Sequence, residues 1–147
     1  MSDATDHFQK LERMYLSAAV NKEIYSGIEI HISGEKAIIS LEVDSKFFHA
    51  ANAIHGSVYF KLLDDAAFFA VNSVVPDVFV YTVQFTVQLL RPVSAGVIKS
   101  TGELKFKSTN LFIADSTLVD ENNKLIGRGT GSFMKSRIEL RENIGYK

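Results

Sequence analysis

The sequence predicts an α+β fold in which an antiparallel β-sheet wraps around one long, buried helix. The segment from Ser57 to Val75 has no proline or internal glycine and is apolar around most of a helical circumference. After Pro76 the apolar residues recur with a period of 2 instead of 3.6, which is typical of strands. Gly127, Gly129 and Gly131 alternate along the last predicted strand, so a bulky partner must cover that face, and the long helix is the obvious candidate.

Composition points to one domain over residues 1–147, because 46% of the chain is hydrophobic and only 22% is charged. The absence of cysteine excludes disulfides, thiolate nucleophiles and cysteine-based zinc sites. Charged residues interrupt every long apolar stretch, and the acidic N-terminus lacks the apolar core of a secretory signal. We therefore expect no membrane span and a cytoplasmic location.

Charge is unevenly distributed along the chain. Residues 1–87 hold 11 acidic and 6 basic side chains, whereas residues 88–147 hold 6 acidic and 10 basic ones. A pI near 6.4 argues against general nucleic-acid binding. The basic second half could hold a small anionic ligand, or it could simply form a solvated strand face.

The first half of the chain is expected to form a helix, a hairpin and the long helix. Asp6 and Gln9 have the spacing of a helix-starting capping box, and apolar residues recur at helical spacing from Phe8 to Ala19, which predicts an amphipathic helix from about Asp6 to Glu23. Two short β-like runs, Ile28–Ile32 and Ala37–Val43, flank a segment of turn composition. The long helix over Ser57–Val75 follows.

The second half is expected to form four strands in an antiparallel meander. Val83, Phe85, Val87 and Leu89 alternate with polar residues from Thr82 onwards, which indicates a half-buried strand. The next three strands are predicted over Val97–Lys107, Leu111–Val119 and Leu125–Lys135, with polar turns between them.

The start of the long helix carries the informative motif, FFHAANAIHGSVYFKLLDDAAFFA over residues 47–70. It resembles the hotdog-fold acyl-CoA thioesterases of the 4-hydroxybenzoyl-CoA thioesterase superfamily, particularly the phenylacetate-pathway type. That type has Asn, then His-Gly-Gly six residues later, then Asp nine residues after the His. His55, Gly56 and Asp64 match this pattern, and the resemblance extends from about Gly27 to Met134.

The resemblance implies a hotdog fold, acyl-CoA hydrolysis and a homodimer that could pair further into a tetramer. Thr82 resembles a position where some members carry a hydroxyl that assists the attacking water. The sequence departs from the pattern at His49, which replaces the Asn, and at Ser57, which replaces the second glycine. Asn52 lies nearby, three residues out of register.

Thioester hydrolysis needs donors for the developing oxyanion and a base or nucleophile for attack on the carbonyl carbon. The free N–H groups of Gly56 and Ser57, at a helix N-terminus, suit the first role. Asp64 suits the second, but it lies about 12 Å further along the helix axis. If both groups act on one thioester, they must come from different subunits, which predicts a dimer.

Simpler interpretations of the same residues stay open. Asp64 or Asp65 could form a helical ion pair with Lys61. His55 could cap the helix instead of acting in catalysis, and His49 could donate to the oxyanion, orient water or be a solvated loop residue. No third ligand accompanies the two histidines, so no metal site is expected.

Coenzyme A, expected as part of the substrate and not as a cofactor, brings phosphates that basic side chains could hold. The candidates are Arg91, Lys105, Lys107 and Arg128. Aromatic residues around the motif could line an acyl tunnel, although at least half should be core; they are Phe47, Phe48, Phe60, Phe68 and Phe69.

Hydrolysis of an acyl-CoA thioester is therefore the leading function. A non-catalytic acyl-CoA or fatty-acyl binding protein of the same fold is the main alternative, because two motif positions have changed. A dehydratase is disfavoured because the helix entry lacks the histidine arrangement usual in those enzymes. A purely structural dimer is the last possibility.

Overall fold

The computed structural model describes residues 3–147, which form two long helices and six strands. In chain order these are α1 (Asp3–Ser17), a π-helical turn (Val20–Ile24), β1 (Glu29–Ser33), β2 (Lys36–Glu42), α2 (Gly56–Asn72), β3 (Val78–Leu89), β4 (Val97–Lys107), β5 (Leu111–Val119) and β6 (Leu125–Glu139). Short 3₁₀ turns at Ser45–Phe47 and Glu142–Ile144 complete the chain. Within the described residues, no helix is long and apolar enough to cross a membrane.

All six strands form one antiparallel sheet with the order β1-β2-β4-β5-β6-β3. The predicted hairpin of β1 and β2 is confirmed. The predicted meander is correct for β4, β5 and β6 but wrong for β3, which pairs with β6 instead of β4. Helix α2 connects β2 to β3. Because β3 pairs with β6, it lies at the edge of the sheet opposite β1.

Helix α2 packs against the sheet through small side chains. Ala66, Ala67 and Ala70 are completely buried, and the backbone of Ala66 lies directly against Gly102 of β4. A Cβ atom added at Gly102 would overlap the Ala66 carbonyl. Since only glycine permits this approach, Gly102 fixes how closely the helix sits on the sheet.

The glycine strip of β6 is covered by two elements and not by α2 alone. Gly127 lies under Tyr59 of α2, whose Cδ2 would be 3.3 Å from an added Cβ. At Gly129 and Gly131 an added Cβ would instead overlap the ring of Phe85, which projects from the neighbouring strand β3. The glycines thus make room for an aromatic ring between sheet and helix.

The first helix ends earlier than predicted, at Ser17 instead of about Glu23. The Ser17 hydroxyl donates to the Met14 carbonyl, and the Asn21 side-chain amide donates to the Tyr15 carbonyl at 2.7 Å. These side chains replace backbone donors of a continuing helix, and the chain makes a π-helical turn instead.

We expect Gly102→Ala to lower the free energy of unfolding by about 3 kcal/mol, because the added methyl group forces α2 off the sheet. Gly34→Ala is the matched control, since no atom lies within 4 Å of a Cβ at that position. Chemical denaturation of both variants at equal protein concentration measures the difference. Equal stability of the two variants would contradict the close packing of α2 on β4.

Candidate functional site

The N-terminus of α2 is organised by His55, which is the N-cap residue. Its Nδ1 accepts a hydrogen bond from the Ser57 N–H at 3.0 Å, and the Ser57 hydroxyl lies 2.9 Å from the same nitrogen. These contacts use the Ser57 N–H, one of the free donors at the helix start. No hydrogen-bond partner for the Gly56 N–H occurs in residues 3–147.

The loop before α2 holds His49 and Asn52 in a tight turn. The Asn52 N–H donates to the His49 carbonyl, and the Ala51 N–H donates to His49 Nδ1, both at 3.0 Å. Asn52 has a left-handed backbone (φ +64°), a conformation that asparagine tolerates well. Its carbonyl accepts from the Ser94 hydroxyl, so Asn52 shapes the loop.

A cavity of about 310 Å³, here called the Gly56 cavity, opens at this end of α2. Its lining combines the loop, the helix start and the segment after β3, and comprises His49, Ile54, Gly56, Tyr59, Leu89, Leu90, Arg91 and Pro92. Of the residues predicted for the site, the structure thus brings His49, Gly56 and Arg91 together here.

Asp64 lies further along α2, where it faces β3. The Thr82 hydroxyl donates a hydrogen bond to Asp64 Oδ1 at 2.7 Å. A register irregularity between Thr82 and Gln84 breaks the alternation that the sequence predicted for this strand. As a result Thr82 turns toward the helix, whereas Val83 is 57% exposed.

The environment of Asp64 makes it a stronger base than an ordinary carboxylate. Burial raises the pKa of Asp64 to about 6, and the neighbouring charge of Asp65 acts in the same direction. The Thr82 hydrogen bond and the charge of Lys61 lower the pKa and offset part of this rise. A carboxylate with this pKa is ionised at neutral pH and accepts a proton readily.

A second cavity, of about 380 Å³ and here called the Asp64 cavity, surrounds this carboxylate. Helix α2 and strand β3 supply its inner wall, which consists of Lys61, Asp64, Asp65, Phe68, Phe69, Phe79 and Thr82. The two ends of the chain supply its outer wall, which consists of Met14, Tyr15, Ala18, Val20, Asn21, Ile138 and Ile144. The cavity is mostly apolar, and its polar groups cluster around Asp64.

The two adjacent carboxylates have different partners. Lys61 Nζ pairs with Asp65 Oδ2 at 2.7 Å, so the ion pair considered for Lys61 is formed by Asp65 and not by Asp64. The Tyr15 hydroxyl donates to the same Asp65 oxygen, also at 2.7 Å. Burial raises the pKa of Tyr15, which keeps its hydroxyl protonated as a donor.

The four basic candidates for coenzyme A lie at two ends of the sheet. Arg91 lines the Gly56 cavity, and its Nε donates to the Leu125 carbonyl at 3.1 Å. Arg128 of β6 lies opposite Gln88 of β3 in the strand register, at the same end of the sheet. Lys105 and Lys107 lie at the opposite end of β4, where Lys105 pairs with Glu103. One chain does not gather the four cations into one site.

Of the five aromatic residues considered for an acyl tunnel, Phe68 and Phe69 line the Asp64 cavity. Phe47 is buried and stacks on Tyr25, whereas Phe60 is exposed and contacts Phe85 edge-on. Sequence reasoning missed the contribution of the outer wall. Its residues come from both ends of the chain, and no local motif marks them.

We expect Thr82→Val to raise the pKa of Asp64 above about 6, because the variant loses the hydrogen bond that stabilises the ionised carboxylate. Thr82→Ser keeps the hydroxyl and should titrate close to the wild type. A ¹³C NMR titration of the Asp64 carboxyl group measures both variants. An unchanged pKa of Asp64 in the Thr82→Val variant would show that this hydrogen bond does not lower the pKa.

Several solved structures share this architecture. The Escherichia coli PaaI protein, from the phenylacetic acid degradation operon, superimposes with a TM-score of 0.83 over 94% of this chain and 99% of that one, at 21% identity. The Haemophilus influenzae thioesterase HI1161 superimposes with a TM-score of 0.76 over 88% of this chain and 90% of its own, at 20% identity. Protein PA5202 of Pseudomonas aeruginosa has a TM-score of 0.76 over 84% of this chain and 98% of its own, at 17% identity. These likenesses confirm the predicted hotdog fold of the α+β class.

No curated protein sequence matches the chain. A sequence model of the thioesterase superfamily, however, matches residues 51–126, from the loop before α2 to the start of β6. This segment is more than half of the chain and contains the Gly56 and Asp64 positions that carried the resemblance. The chain therefore belongs to the thioesterase superfamily.

Proposed function

We propose that the protein hydrolyses acyl-CoA thioesters with Asp64 as the general base. One observation carries the proposal: Asp64 is a carboxylate with a pKa raised to about 6, set in a mostly apolar cavity and held by Thr82. Membership of the thioesterase superfamily supports thioester hydrolysis as the general activity. The acyl-CoA substrate is our proposal.

In this reaction Asp64 accepts a proton from water as the water oxygen attacks the carbonyl carbon. The carbonyl oxygen becomes an oxyanion, and its collapse breaks the carbon–sulfur bond and releases the free acid and the thiolate of coenzyme A. The proton taken up by Asp64 passes to the thiolate or to solvent, which regenerates the base.

If Asp64 instead attacks the carbonyl carbon directly, coenzyme A leaves and an anhydride between the acyl group and Asp64 forms. When water then attacks the Asp64 carbon of this anhydride, a single turnover in ¹⁸O-labelled water leaves no label in the acid product, because the new oxygen of the acid comes from Asp64.

The oxyanion needs a donor, and the Gly56 N–H is the best placed. Gly56 is the first residue of α2 and lines the Gly56 cavity; the N–H groups of a first helical turn point toward the N-terminal end, where the positive end of the helix dipole adds to their effect. Asp64 lies about 12 Å away along the same helix. Two groups so far apart cannot act on one carbonyl group within one chain.

A two-fold dimer through β3 would bring the two groups together. Within the described part of the chain, β3 is a 12-residue edge strand with β6 on one side and no strand on the other. It exposes large apolar side chains, among them Tyr81, Val83 and Leu89. A long apolar edge strand with unpaired backbone groups favours pairing with a strand of another chain. Antiparallel pairing with a second β3 would set the Leu89 end of one protomer beside the Thr82 end of its partner. The Asp64 cavity of one protomer would then face the Gly56 cavity of the other.

The two cavities suit different parts of the substrate. The Asp64 cavity, with Phe68 and Phe69 in its wall, would take the acyl group. Arg91, at the Gly56 cavity, would face the phosphates of coenzyme A. His49 lines the same cavity and could donate to the oxyanion in place of the family asparagine. Association of two dimers into a tetramer stays a prediction.

A binding protein without turnover is the second candidate. The observation in its favour is the pair of departures from the motif, His49 and Ser57. Ser57 uses its N–H to bond His55, which removes one free donor from the helix start. Tight binding of acyl-CoA with no release of free thiol would establish this alternative.

We expect Asp64→Asn to lower kcat for acyl-CoA hydrolysis by about 10²- to 10⁴-fold, the usual contribution of a general base. Free-thiol release from short, medium, long and aryl acyl-CoAs measures the effect, and Asp77→Asn, at an exposed position, is the control. In the wild type kcat/KM should fall below pH about 6, because protonated Asp64 cannot act as a base. Full activity of the Asp64→Asn variant would disprove the assignment.

We expect Gly56→Pro to abolish most of the activity without unfolding the helix. Proline lacks the N–H but fits the first position of a helix, and the extended backbone of His55 (φ −65°, ψ 147°) suits a residue before proline. Gly56→Ala keeps the N–H and is the matched control. Equal rates for the two variants would exclude the Gly56 N–H as the oxyanion donor.

Mixing the two inactive variants tests the shared site. If Asp64 and Gly56 act across the two-fold, a heterodimer of Asp64→Asn and Gly56→Pro has one intact site. Co-expression should then restore about a quarter of wild-type activity, because about half of randomly assorted dimers are heterodimers. If the mixture stays inactive while native mass spectrometry shows mixed dimers, Asp64 and Gly56 do not form a shared site.

A further inference from the structure

Two carboxylates compete for one ammonium group on α2. Asp64 and Asp65 follow Lys61 by three and four residues, and both spacings place a carboxylate within reach of a lysine on a helix. A base that forms an ion pair with lysine is weakened, because the positive charge stabilises its ionised form. Asp64 is therefore available as a base only when Lys61 forms its ion pair with Asp65.

Lys61 is bound on the side of Asp65. Its Nζ lies 2.7 Å from Asp65 Oδ2, and within residues 3–147 it forms no ion pair with Asp64. The Lys61 and Asp65 side chains are only 15% and 19% exposed, so water screens the pair weakly. The Tyr15 hydroxyl donates to the same Asp65 oxygen and orients the carboxylate toward the ammonium.

Aromatic rings hold the ammonium group in this position. Lys61 Nζ lies 4.8 Å from the centre of the Tyr25 ring and 5.4 Å from that of Tyr15, distances at which a cation is attracted to the ring faces. Tyr15 belongs to α1, and Tyr25 follows the π-helical turn. The N-terminal segment thus supplies both rings and the hydroxyl that fix the pair.

We infer that Asp65 is a positioning residue that, with Tyr15 and Tyr25, holds Lys61 away from Asp64 and so leaves Asp64 as an unpaired carboxylate. The inference rests on the proposed function for its catalytic meaning. The charged and titratable groups that face Asp64 are Lys61 and Asp65 on its own helix and Tyr15 on α1, while β3 contributes the hydroxyl of Thr82.

A double-mutant cycle tests this role, with the midpoint of the Asp64 ¹³C carboxyl titration as its readout. The variants are Asp65→Asn, Lys61→Met and the double variant. Asp65→Asn frees Lys61 to pair with Asp64, so the midpoint should fall by about one pH unit or more. Removal of Lys61 should then raise the midpoint far more in the Asp65→Asn background than in the wild type.

Additive shifts in the cycle would overturn the inference, because a lysine that stays in place exerts the same effect in both backgrounds. A crystal structure of Asp65→Asn gives a direct check, since Lys61 Nζ should lie within 4 Å of an Asp64 oxygen. If Asp65→Asn does not fold, the same cycle is run with Asp65→Ser.

Activity measurements separate this inference from the proposed function. If the wild type hydrolyses acyl-CoA, the acid limb of kcat/KM in Asp65→Asn should shift to lower pH together with the NMR midpoint. If the wild type has no turnover, the proposed function fails, but the titration still shows whether Asp65 controls the position of Lys61.

Discussion

The close contact of α2 with the sheet is the constraint on which the rest of the structure depends. Because the backbone of Ala66 rests on Gly102, the helix cannot move closer to the sheet without steric conflict, and a shift or rotation away would open a void in the packed interior. Successive helical residues are about 100° apart, so a fixed rotation gives adjacent side chains different neighbours. Asp64 therefore faces β3 and meets Thr82, whereas Asp65 faces α1 and meets Tyr15.

Two carboxylates that are neighbours in sequence thus have different environments. Asp65 is compensated by a lysine and a tyrosine hydroxyl, which is the usual condition of a partly buried charge. Among residues 3–147, Asp64 has the Thr82 hydroxyl as its donor and forms no ion pair, and burial raises its pKa. The division follows from which element each side chain faces, since the two residues are chemically identical.

Sequence reasoning recovered the parts of the molecule that local patterns encode. The buried helix, the β1 and β2 hairpin and the strands β4 to β6 follow from periodicity. His55, Gly56 and Asp64 follow from the resemblance, and their roles in catalysis stay predictions. The partner of β3 could not be predicted, because strand order depends on contacts distant in sequence. Thr82 was suggested by resemblance, but its inward orientation depends on a strand irregularity that the alternating sequence conceals.

The origin of the Asp64 cavity walls has a consequence for evolution and for engineering. The inner wall belongs to residues 61–82, inside the segment shared with the superfamily, whereas the outer wall comes from residues 14–21, Ile138 and Ile144, outside it. Outside Tyr15, which binds Asp65, substitutions in the outer wall would change the shape of the proposed acyl site without touching the groups that surround Asp64. Ile144 stands close to the last residue of the chain, where Arg13 binds the Lys147 carbonyl. A group attached beside Lys147 would thus adjoin the wall of the Asp64 cavity, and substrate preference is best compared with and without such a group.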